Sequence, residues 1–545
     1  MNRAELIDQL HREEFDLCII GAGASGAGCA LDAALRGLKV VLVDSSDFSA
    51  GTSSRSTKLI HGGVRYLEQA FKNFDFAQLK QVRHGLEERH AVLANAPHLS
   101  RPLALVTPVF SWIEGLYFTI GLKIYAWFAS AKDTLPKSEW LNKKTVLQRI
   151  PGLNPQLHSA VLYYDGQLDD ARYALALALS AREEGVVTLN HLAVTGFEKN
   201  TNGHLQTALV TDQLTGDQHH IRAKVFLNCT GPYADHIRLA ANPQIPARIR
   251  PSKGVHAVLP LDILGGKEAL LIPKTPDGRV VFAIPFFDKL LLGTTDEDYK
   301  GGDAEPVLES REVDYLLETL APYVRQKVTP DQVTAGFGGL RPLITAVGRS
   351  TKGLVRDHEV EHDPASNLYS LLGGKWTTYR LMAKDAVDEI CAALGNSNTC
   401  ATESYVLVGG QGFHPDDWRN IQQETGLAED ICRHLLLNYG TKWPDLVAII
   451  RENADTAGRL APNYPFIGAE VVYTARHEMC CTLRDFFARR IRLEIMDWQA
   501  TQAAAEMAGD WLGQELGWDG KATQAHIAAY RELVAGFAKA AAQRP

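Results

Sequence analysis

The chain opens with a compact apolar segment, residues 15–20, that runs directly into a glycine-rich turn. An alanine-rich stretch with helical spacing follows over residues 27–36, and Gly37 stands where a helix commonly ends. A second apolar segment, residues 39–43, ends in Asp44. After a short leader helix, this order of strand, helix and strand predicts a complete βαβ unit.

Apolar segments of helix and strand type continue through the middle of the chain. They predict helices over residues 173–184 and 376–394. Short apolar runs between these helices predict strands, and the central runs suggest a second, mostly antiparallel sheet. The predicted strands cover residues 186–189, 205–211, 224–231, 255–259, 280–284, 290–293, 336–343 and 369–374.

The pattern changes at about residue 400. From there on, apolar residues recur at three- and four-residue spacing, which is typical of helices that bury one face. We therefore expect a separate, mainly helical C-terminal domain over residues 400–545. Its clearest helical segments are residues 427–439, 468–490 and 522–542.

The length and the amino-acid composition are typical of a globular protein with several domains. The 545 residues are 46% hydrophobic and 22% charged, which excludes disordered and fibrous classes. A net charge of −8 argues against a nucleic-acid partner. The eight cysteines form no C-x-x-C pair and have no histidine at zinc-ligand spacing, so we predict no metal site and regard even the vicinal Cys480-Cys481 pair as buried thiols. The N-terminal residues lack the apolar core of a signal peptide, and a cytoplasmic protein is expected.

One apolar segment, residues 109–130, is long enough to cross a membrane. Glu114 and Lys123 within it would be costly at mid-bilayer, so a spanning helix is disfavoured. With Trp112 and Trp127 on one side, the helix could lie in the membrane interface or face a partner. A buried helix of the fold explains the segment equally well.

The glycine turn after the first strand has the spacing and context of a dinucleotide site. Gly21 permits a tight turn, Gly23 lets the backbone approach a pyrophosphate, and Gly26 allows close packing of helix and strand. The helix that follows offers N–H groups and a partial positive charge to the phosphates. Asp44, at the end of the next strand, would accept hydrogen bonds from a ribose diol.

This turn alone does not separate FAD from NAD. Residues 49–63 are rich in hydroxyl groups and glycine and resemble the FAD-binding continuation of the D-amino-acid-oxidase-like flavoenzymes. Cys229-Thr230-Gly231 resembles their second signature, and Gly373-Gly374-Lys375-Trp376-Thr377 resembles the third, where glycines before a helix would direct N–H groups at the flavin. The resemblance implies non-covalent FAD held, besides the glycine turn and Asp44, by Thr52, Ser53, Ser54, Lys58, His61, Gly62, Thr230, Gly231, Gly373, Gly374, Lys375 and Thr377.

A more specific resemblance rests on several motifs in order. The segment Ser53-Ser-Arg-Ser-Thr-Lys-Leu-Ile-His-Gly-Gly-Val-Arg-Tyr-Leu-Glu68 is similar to a signature of the aerobic-type, FAD-dependent glycerol-3-phosphate dehydrogenases. Lys253-Gly254, Gly293-Thr-Thr-Asp296, Gly339-Leu-Arg-Pro342 and Gly374-Lys-Trp-Thr-Thr-Tyr-Arg380 agree as well. The resemblance extends over nearly the whole chain.

The family implies an architecture and a reaction. We expect an α/β and α fold in which residues 1–395 form a Rossmann-like FAD-binding domain interleaved with an antiparallel-sheet substrate domain. The substrate-domain parts are expected at about residues 100–160 and 246–340, followed by the helical C-terminal domain. The implied reaction is oxidation of sn-glycerol 3-phosphate to dihydroxyacetone phosphate, with electrons passed to a quinone.

By the same resemblance, the substrate phosphate would be held by Arg65, Arg341 and Lys375, with Tyr66 as a hydroxyl contact. Arginine suits this task because its planar fork makes bidentate charge-assisted bonds.

The general base remains open at this point. His61 and His256 are both candidates, and each could instead be a flavin contact or a packed strand residue. Arg356 could polarise the hydroxyl or stabilise an alkoxide.

Other functions stay open beside this one. An oxidase that uses oxygen shares these motifs, and a related flavoenzyme could act on an amine or amino acid. A catalytically idle FAD protein that docks on membranes is a third alternative. For the leading hypothesis we expect a cytoplasmic enzyme seated peripherally on the cytoplasmic membrane; a homodimer is left open.

Overall fold

Two β-sheets and a set of C-terminal helices make up the fold. The computed structural model describes residues 3–62, 76–112, 135–273, 275, 279–345 and 358–543. The strands, in chain order, are β1 (Glu14–Ile20), β2 (Val40–Val43), β3 (Leu59–Ile60), β4 (Ser100–Val109), β5 (Glu139–Asn142), β6 (Ser159–Leu168), β7 (Val187–Leu189), β8 (Leu192–Lys199), β9 (Leu205–Asp212), β10 (Gln218–Asn228), β11 (Ile249–Pro260), β12 (Ala269–Ile272), β13 (Val281–Phe286), β14 (Lys289–Gly293), β15 (Glu297–Asp298), β16 (Ala335–Ile344), β17 (His358–Asp363) and β18 (Leu368–Gly373).

The α-helices of the described residues flank these sheets and fill the C-terminal region. Before residue 400 they are Arg3–Arg12, Ala24–Leu35, Phe76–Asn95, Lys143–Arg149, Asp170–Glu183, Ala234–Ala241, Ser310–Leu320 and Tyr379–Leu394. After residue 400 they are Trp418–Thr425, Glu429–Tyr439, Trp443–Glu452, Gly468–His477, Trp498–Leu516 and Gly520–Ala542.

The first sheet carries the predicted βαβ unit. Its strand order is β17-β18-β10-β1-β2-β7, with β9 and β8 added beside β10. β1 pairs in parallel with β2 and β10, and β10 pairs in parallel with β18. The helix between β1 and β2 begins at Ala24, directly after Gly23, and so starts three residues earlier than its alanine-rich pattern suggested. The predicted Rossmann-like unit is confirmed.

The second sheet is antiparallel except where β12 pairs in parallel with β4. Side chains along each strand alternate between the two faces of the sheet, and each face packs against different elements. Leu291 on β14 packs into the core shared with the C-terminal helices. Its neighbours Leu290 and Leu292 pack into the core that contains the helix Ser310–Leu320. The C-terminal helices therefore lie on one face of this sheet, and the predicted fold class is confirmed.

One C-terminal prediction needs correction. Residues 468–490 have helical spacing throughout, but the α-helix Gly468–His477 ends and a π-helical turn, Asp485–Arg490, follows after a break. Glu478 turns inward to pair with Arg172 at 2.6 Å, and Met479 has a positive φ of 54°. A buried ion pair thus overrides the local helical pattern.

Two further expectations concern the membrane and the cysteines. Among the described helices, none is long and apolar enough to cross a membrane. The predicted helix at residues 109–130 lies almost entirely outside the described residues; of its beginning, Phe110 and Trp112 are exposed. Cys480 is buried, and burial raises the pKa of Cys481 to about 12, so neither is a reactive thiolate at neutral pH.

Candidate active site

A cavity of about 680 Å³ lies where the parallel strands of the first sheet end. Gly21 follows β1, Asp44 follows β2, Thr230 follows β10 and Gly373 ends β18, and all four line the cavity. The carboxyl ends of parallel strands meet at one edge of a sheet, which is the usual ligand position in such folds. The topology therefore brings together three motifs that lie far apart in the sequence.

The glycine turn needs glycine at each of its three positions. Gly21 has a φ of +102°, and a Cβ there would lie 2.7 Å from the carbonyl oxygen of Cys229. A Cβ on Gly23 would lie 2.8 Å from Ser53 Oγ, and one on Gly26 would lie 1.8 Å from the carbonyl oxygen of Gly21. Gly21 and Gly23 line the cavity, whereas Gly26 lies beneath it and lets the helix pack against the turn.

Asp44 and Ser49 present polar atoms on the next part of the wall. The backbone N–H groups of Ala22 and Ser46 donate to the two carboxylate oxygens of Asp44 at 2.7 and 2.9 Å. Burial raises the pKa of Asp44 to about 6, although its side chain is only partly covered because it faces the cavity. Ser49 is buried, and its Oγ has no partner among the described residues. Both groups fit a bound ribose or phosphate.

The serine-rich loop after β2 is fixed across the glycine turn. Ser53 Oγ accepts a hydrogen bond from the N–H of Ala24 at 2.9 Å, and its carbonyl oxygen accepts one from the Trp376 indole at 2.8 Å. Thr52 Oγ1 donates to the carbonyl oxygen of Leu340 on the second sheet at 2.6 Å. The loop thus joins the two sheets at the cavity.

The third glycine motif closes the opposite wall. Gly373 and Gly374 have φ values of 70° and 91°, and a Cβ on Gly374 would lie 2.2 Å from Met382 Cε. Lys375 follows them and lines the cavity, and Gly231 at the end of the second motif has a φ of 56°. The backbone there can approach a flat ligand closely because no side chain intervenes.

Several predicted cofactor residues lie away from the cavity wall. Ser54 is buried, and its carbonyl oxygen accepts a hydrogen bond from Lys58 Nζ at 3.0 Å. Lys58 is fully buried and its ammonium pairs with Asp170 at 2.8 Å, so this side chain does not line the cavity. Burial lowers the pKa of Lys58 to about 8, although the negative charge of Asp170 acts in the opposite direction and raises it.

A second group of predicted cofactor residues does not line the cavity; it consists of His61, Gly62 and Thr377. Thr377 Oγ1 bonds to the backbone N–H and carbonyl oxygen of His61 at 3.4 and 3.3 Å. Gly62 is buried. Burial, together with the positive charges of Lys375 and Arg89, lowers the pKa of His61 to about 4. His61 is therefore a neutral imidazole at physiological pH.

A polar cluster on the paired strands β11 and β16 holds the predicted His256 and Arg341. Ser252 lies opposite Arg341, and Gly254 opposite Gly339, so these side chains share one face of the sheet. Arg341 reaches across Gly254, where a Cβ would lie 2.5 Å from Arg341 Nη2. Glycine at position 254 thus provides the space that the guanidinium occupies.

Arg341 is held by groups of the segment after β14. It donates to Asp296 at 3.0 Å, to Thr294 Oγ1 at 3.1 Å and to the carbonyl oxygen of Thr295 at 2.9 Å. Its neighbours Leu340 and Pro342 line the large cavity, whereas Arg341 itself points to the other face of β16. A phosphate at Arg341 would have to share the guanidinium with Asp296.

His256 is a buried, neutral imidazole in the same cluster. It stacks on Phe337 at 4.8 Å, and Lys58 lies over the same ring at 4.6 Å. His256 Nε2 bonds to Thr57 Oγ1 at 3.1 Å, and Nδ1 has no partner among the described residues. Burial, with added repulsion from Lys58 and Arg341, lowers the pKa of His256 well below its usual value. The ring is therefore neutral at physiological pH, and one of its two nitrogens carries no proton and can accept a hydrogen bond.

Three predicted substrate residues, Arg65, Tyr66 and Arg356, lie outside the described residues. The structure thus separates the remaining candidates into two groups: Lys375 with His61, and Arg341 with His256.

Sequence reasoning missed a set of charged residues on the cavity wall. These residues come from the loop after β2, from the turn between β7 and β8, from residues 303–306 and from the C-terminal region. Their partners lie too far along the chain to show a local signal. They are Asp47, Arg55, His191, Glu305, Arg484, Asp485 and Arg489.

The arginines at 489, 490 and 492 are all buried. Arg490 pairs with Asp47 at 2.7 Å, and Arg492 pairs with Asp170 at 2.9 Å.

Comparisons with known proteins identify the family of this chain. The model of the FAD-dependent oxidoreductase family matches residues 16–388, and that of the C-terminal domain of alpha-glycerophosphate oxidase matches residues 400–523. The mitochondrial glycerol-3-phosphate dehydrogenase of Arabidopsis thaliana is 38% identical over 98% of this chain and 88% of its own length. The chain belongs to the FAD-dependent glycerol-3-phosphate dehydrogenase family. The predicted family and the FAD cofactor are confirmed.

Further relatives extend this result. The mitochondrial glycerol-3-phosphate dehydrogenase of Homo sapiens is 37% identical over 97% of this chain and 74% of its own. The crystal structure of the glycerol-3-phosphate dehydrogenase from Bacillus halodurans, complexed with FAD, superimposes with a TM-score of 0.81 at 29% identity. It covers 100% of this chain and 99% of that one.

The cavity fits the cofactor of this family. The glycine turn leaves the backbone open to a pyrophosphate, and the Asp44 carboxylate lines the cavity, where it would accept hydrogen bonds from a ribose. The buried Ser49 Oγ has no partner among the described residues and would offer a further polar contact. The backbone at Gly373 and Gly374 leaves room for a flat ring. These residues are thus suited to hold FAD.

Proposed function

We propose that this enzyme oxidises sn-glycerol 3-phosphate to dihydroxyacetone phosphate and passes the electrons to a quinone. The observation that carries the proposal is the cluster on β11 and β16, where a neutral imidazole and a guanidinium share one face of the sheet, and Leu340 and Pro342 of the same strand β16 line the cofactor cavity. A secondary alcohol with a phosphate group needs one group of each kind. FAD, when bound, supplies the hydride acceptor and relays electrons to the quinone.

His256 is the general base in this proposal. Burial near Lys58 and Arg341 lowers its pKa, so the ring is neutral in the resting enzyme and has an unprotonated nitrogen to offer the substrate hydroxyl. Thr57 and Phe337 hold the ring in one orientation through a hydrogen bond and a stacking contact. His61, also neutral, is the alternative base.

The phosphate is bound by Arg341 in this proposal, in exchange for part of its contact with Asp296. Lys375, at the cavity wall, adds a second positive charge. The family resemblance adds Arg65, Tyr66 and Arg356. Removing one charge-assisted contact costs on the order of 1.5–3 kcal/mol, or roughly 10- to 100-fold in affinity.

Substrate selectivity and variants test the phosphate site. Arg341→Ala and Lys375→Ala should each raise KM for glycerol 3-phosphate while the purified proteins keep their FAD. Glycerol should be a very poor substrate of the wild type. Equal turnover of glycerol and glycerol 3-phosphate would refute the phosphate contacts.

A quinone acceptor favours an enzyme seated on the cytoplasmic membrane surface, because quinones dissolve in the bilayer. Phe110 and Trp112 support such a seat: they are 43% and 63% exposed where the chain leaves β4 toward the apolar segment. Trp112→Ser should weaken sedimentation with membranes at low salt without loss of dye-linked activity. Rapid turnover with oxygen, and no turnover with a quinone analogue, would instead indicate an oxidase.

A further inference from the structure

The C-terminal region supplies part of the cofactor cavity. Thr482, Arg484, Asp485 and Arg489 line the cavity together with the glycine turn. These residues lie beyond the segment that matches the FAD-dependent oxidoreductase family, residues 16–388. We propose that residues 482–489, the wall segment, form a latch that retains FAD, held in place by ion pairs to Asp47 and Glu305.

The first anchor is a buried ion pair three residues after Asp44. Asp47 is fully buried, and it accepts hydrogen bonds from Arg489 Nε at 2.5 Å and from Arg490 Nη1 at 2.7 Å. Burial alone would raise the pKa of Asp47, but Arg490 and Arg489 hold it below its usual value. Asp485 extends the anchor, since it accepts from Arg489 at 2.7 Å and contacts His191 at 2.9 Å.

The second anchor joins three parts of the chain. Both guanidinium nitrogens of Arg484 donate to Glu305, at 2.8 and 2.6 Å. Glu305 also pairs with Arg55 of the serine-rich loop at 2.8 Å. Burial would raise the pKa of Glu305, but Arg55 and Arg484 hold it at about 2, so the carboxylate stays ionised over the working pH range.

Together, the anchors tie the wall segment to both halves of the cavity. Asp47 belongs to the loop after β2 of the first sheet, whereas Glu305 follows β15 of the second sheet. FAD bound between the loop after β2 and the segment after β15 would be covered by the wall segment as long as both anchors hold. Release of FAD then requires the wall segment to move, which links the C-terminal domain to cofactor retention.

Flavin release from the holoenzyme tests this directly. Free FAD is followed by its fluorescence after the purified enzyme is diluted into FAD-free buffer. Arg484→Met should speed release by about 10- to 100-fold, because it removes a charge-assisted, two-pronged contact. The matched control is Arg451→Met, since Arg451 pairs only at the surface, with Glu424, away from the cavity. It should release FAD at the wild-type rate.

A purely structural role for the wall segment predicts a different result. It would lower the thermal stability of the apoprotein in Arg484→Met and leave the rate of FAD release unchanged, and that result would overturn the latch. Glu305→Gln decides the question in the same way if Arg484→Met does not fold. In the double variant, the latch requires the two effects to be less than additive, because both changes break one contact; independent effects contradict it.

Discussion

Replacing Gly254 with alanine is the sharpest perturbation that the site offers. The new Cβ would lie 2.5 Å from Arg341 Nη2 and 2.6 Å from Thr294 Oγ1, and the three nearest atoms all belong to side chains. Non-bonded atoms settle at about 3.5 Å, so the guanidinium has to retreat by about 1 Å. The backbone is not disturbed, and Gly254 does not line the cofactor cavity, so we expect a folded protein with its FAD.

The cost follows from the contact that is lost. If Arg341 binds the substrate phosphate, its displacement removes one charge-assisted bond of about 1.5–3 kcal/mol, and kcat/KM for glycerol 3-phosphate falls roughly 10- to 100-fold. The assay is steady-state dye reduction at equal FAD occupancy. Gly520→Ala is the control, because a Cβ there has no atom within 4 Å. An unchanged kcat/KM in Gly254→Ala would refute the assignment of Arg341.

Four further substitutions test other parts of the account. Gly23→Val should yield colourless protein, because even a Cβ at this position lies 2.8 Å from Ser53 Oγ; full FAD occupancy of the purified variant would contradict this. His256→Asn should lower kcat on the order of 10²–10⁴-fold with FAD retained, and His61→Asn should lower it less; the opposite order would make His61 the base. Because the folded pKa of Asp44 is raised to about 6, its contribution to apoprotein stability is present below pH 4 and is lost as pH rises through about 6. When pH rises from 4 to 7.5, the free energy of unfolding of Asp44→Asn apoprotein should therefore increase relative to that of the wild type by at most about 3 kcal/mol, and by less because Asp44 is partly exposed. The variant should also bind FAD more weakly. Equal pH dependence of the two apoproteins in chemical unfolding would count against this prediction.

The sequence predicted the features that depend on local pattern. The strand, the glycine turn and the helix after β1 follow from neighbouring residues, and glycine is required there because the φ of Gly21 is +102°. The apolar run at residues 290–293 likewise predicted a strand, and both faces of β14 are covered.

The sequence did not predict contacts between distant charges. Lys58 has a glycine- and hydroxyl-rich setting that resembles a cofactor contact, but Asp170, 112 residues away, draws its ammonium into the core. Arg489 and Arg490 are adjacent in sequence, and Asp47, more than 440 residues earlier, pairs with both in the core. Such pairs depend on how the sheets and helices pack, which no local pattern reports.

Anaerobic titration of the purified holoenzyme with glycerol 3-phosphate tests the central claim most directly. The visible absorption of the oxidised flavin should bleach with one equivalent of substrate per FAD and recover when a quinone analogue is added. Glycerol at the same concentration should leave the spectrum unchanged. A flavin that stays oxidised in the presence of glycerol 3-phosphate would contradict the proposed function.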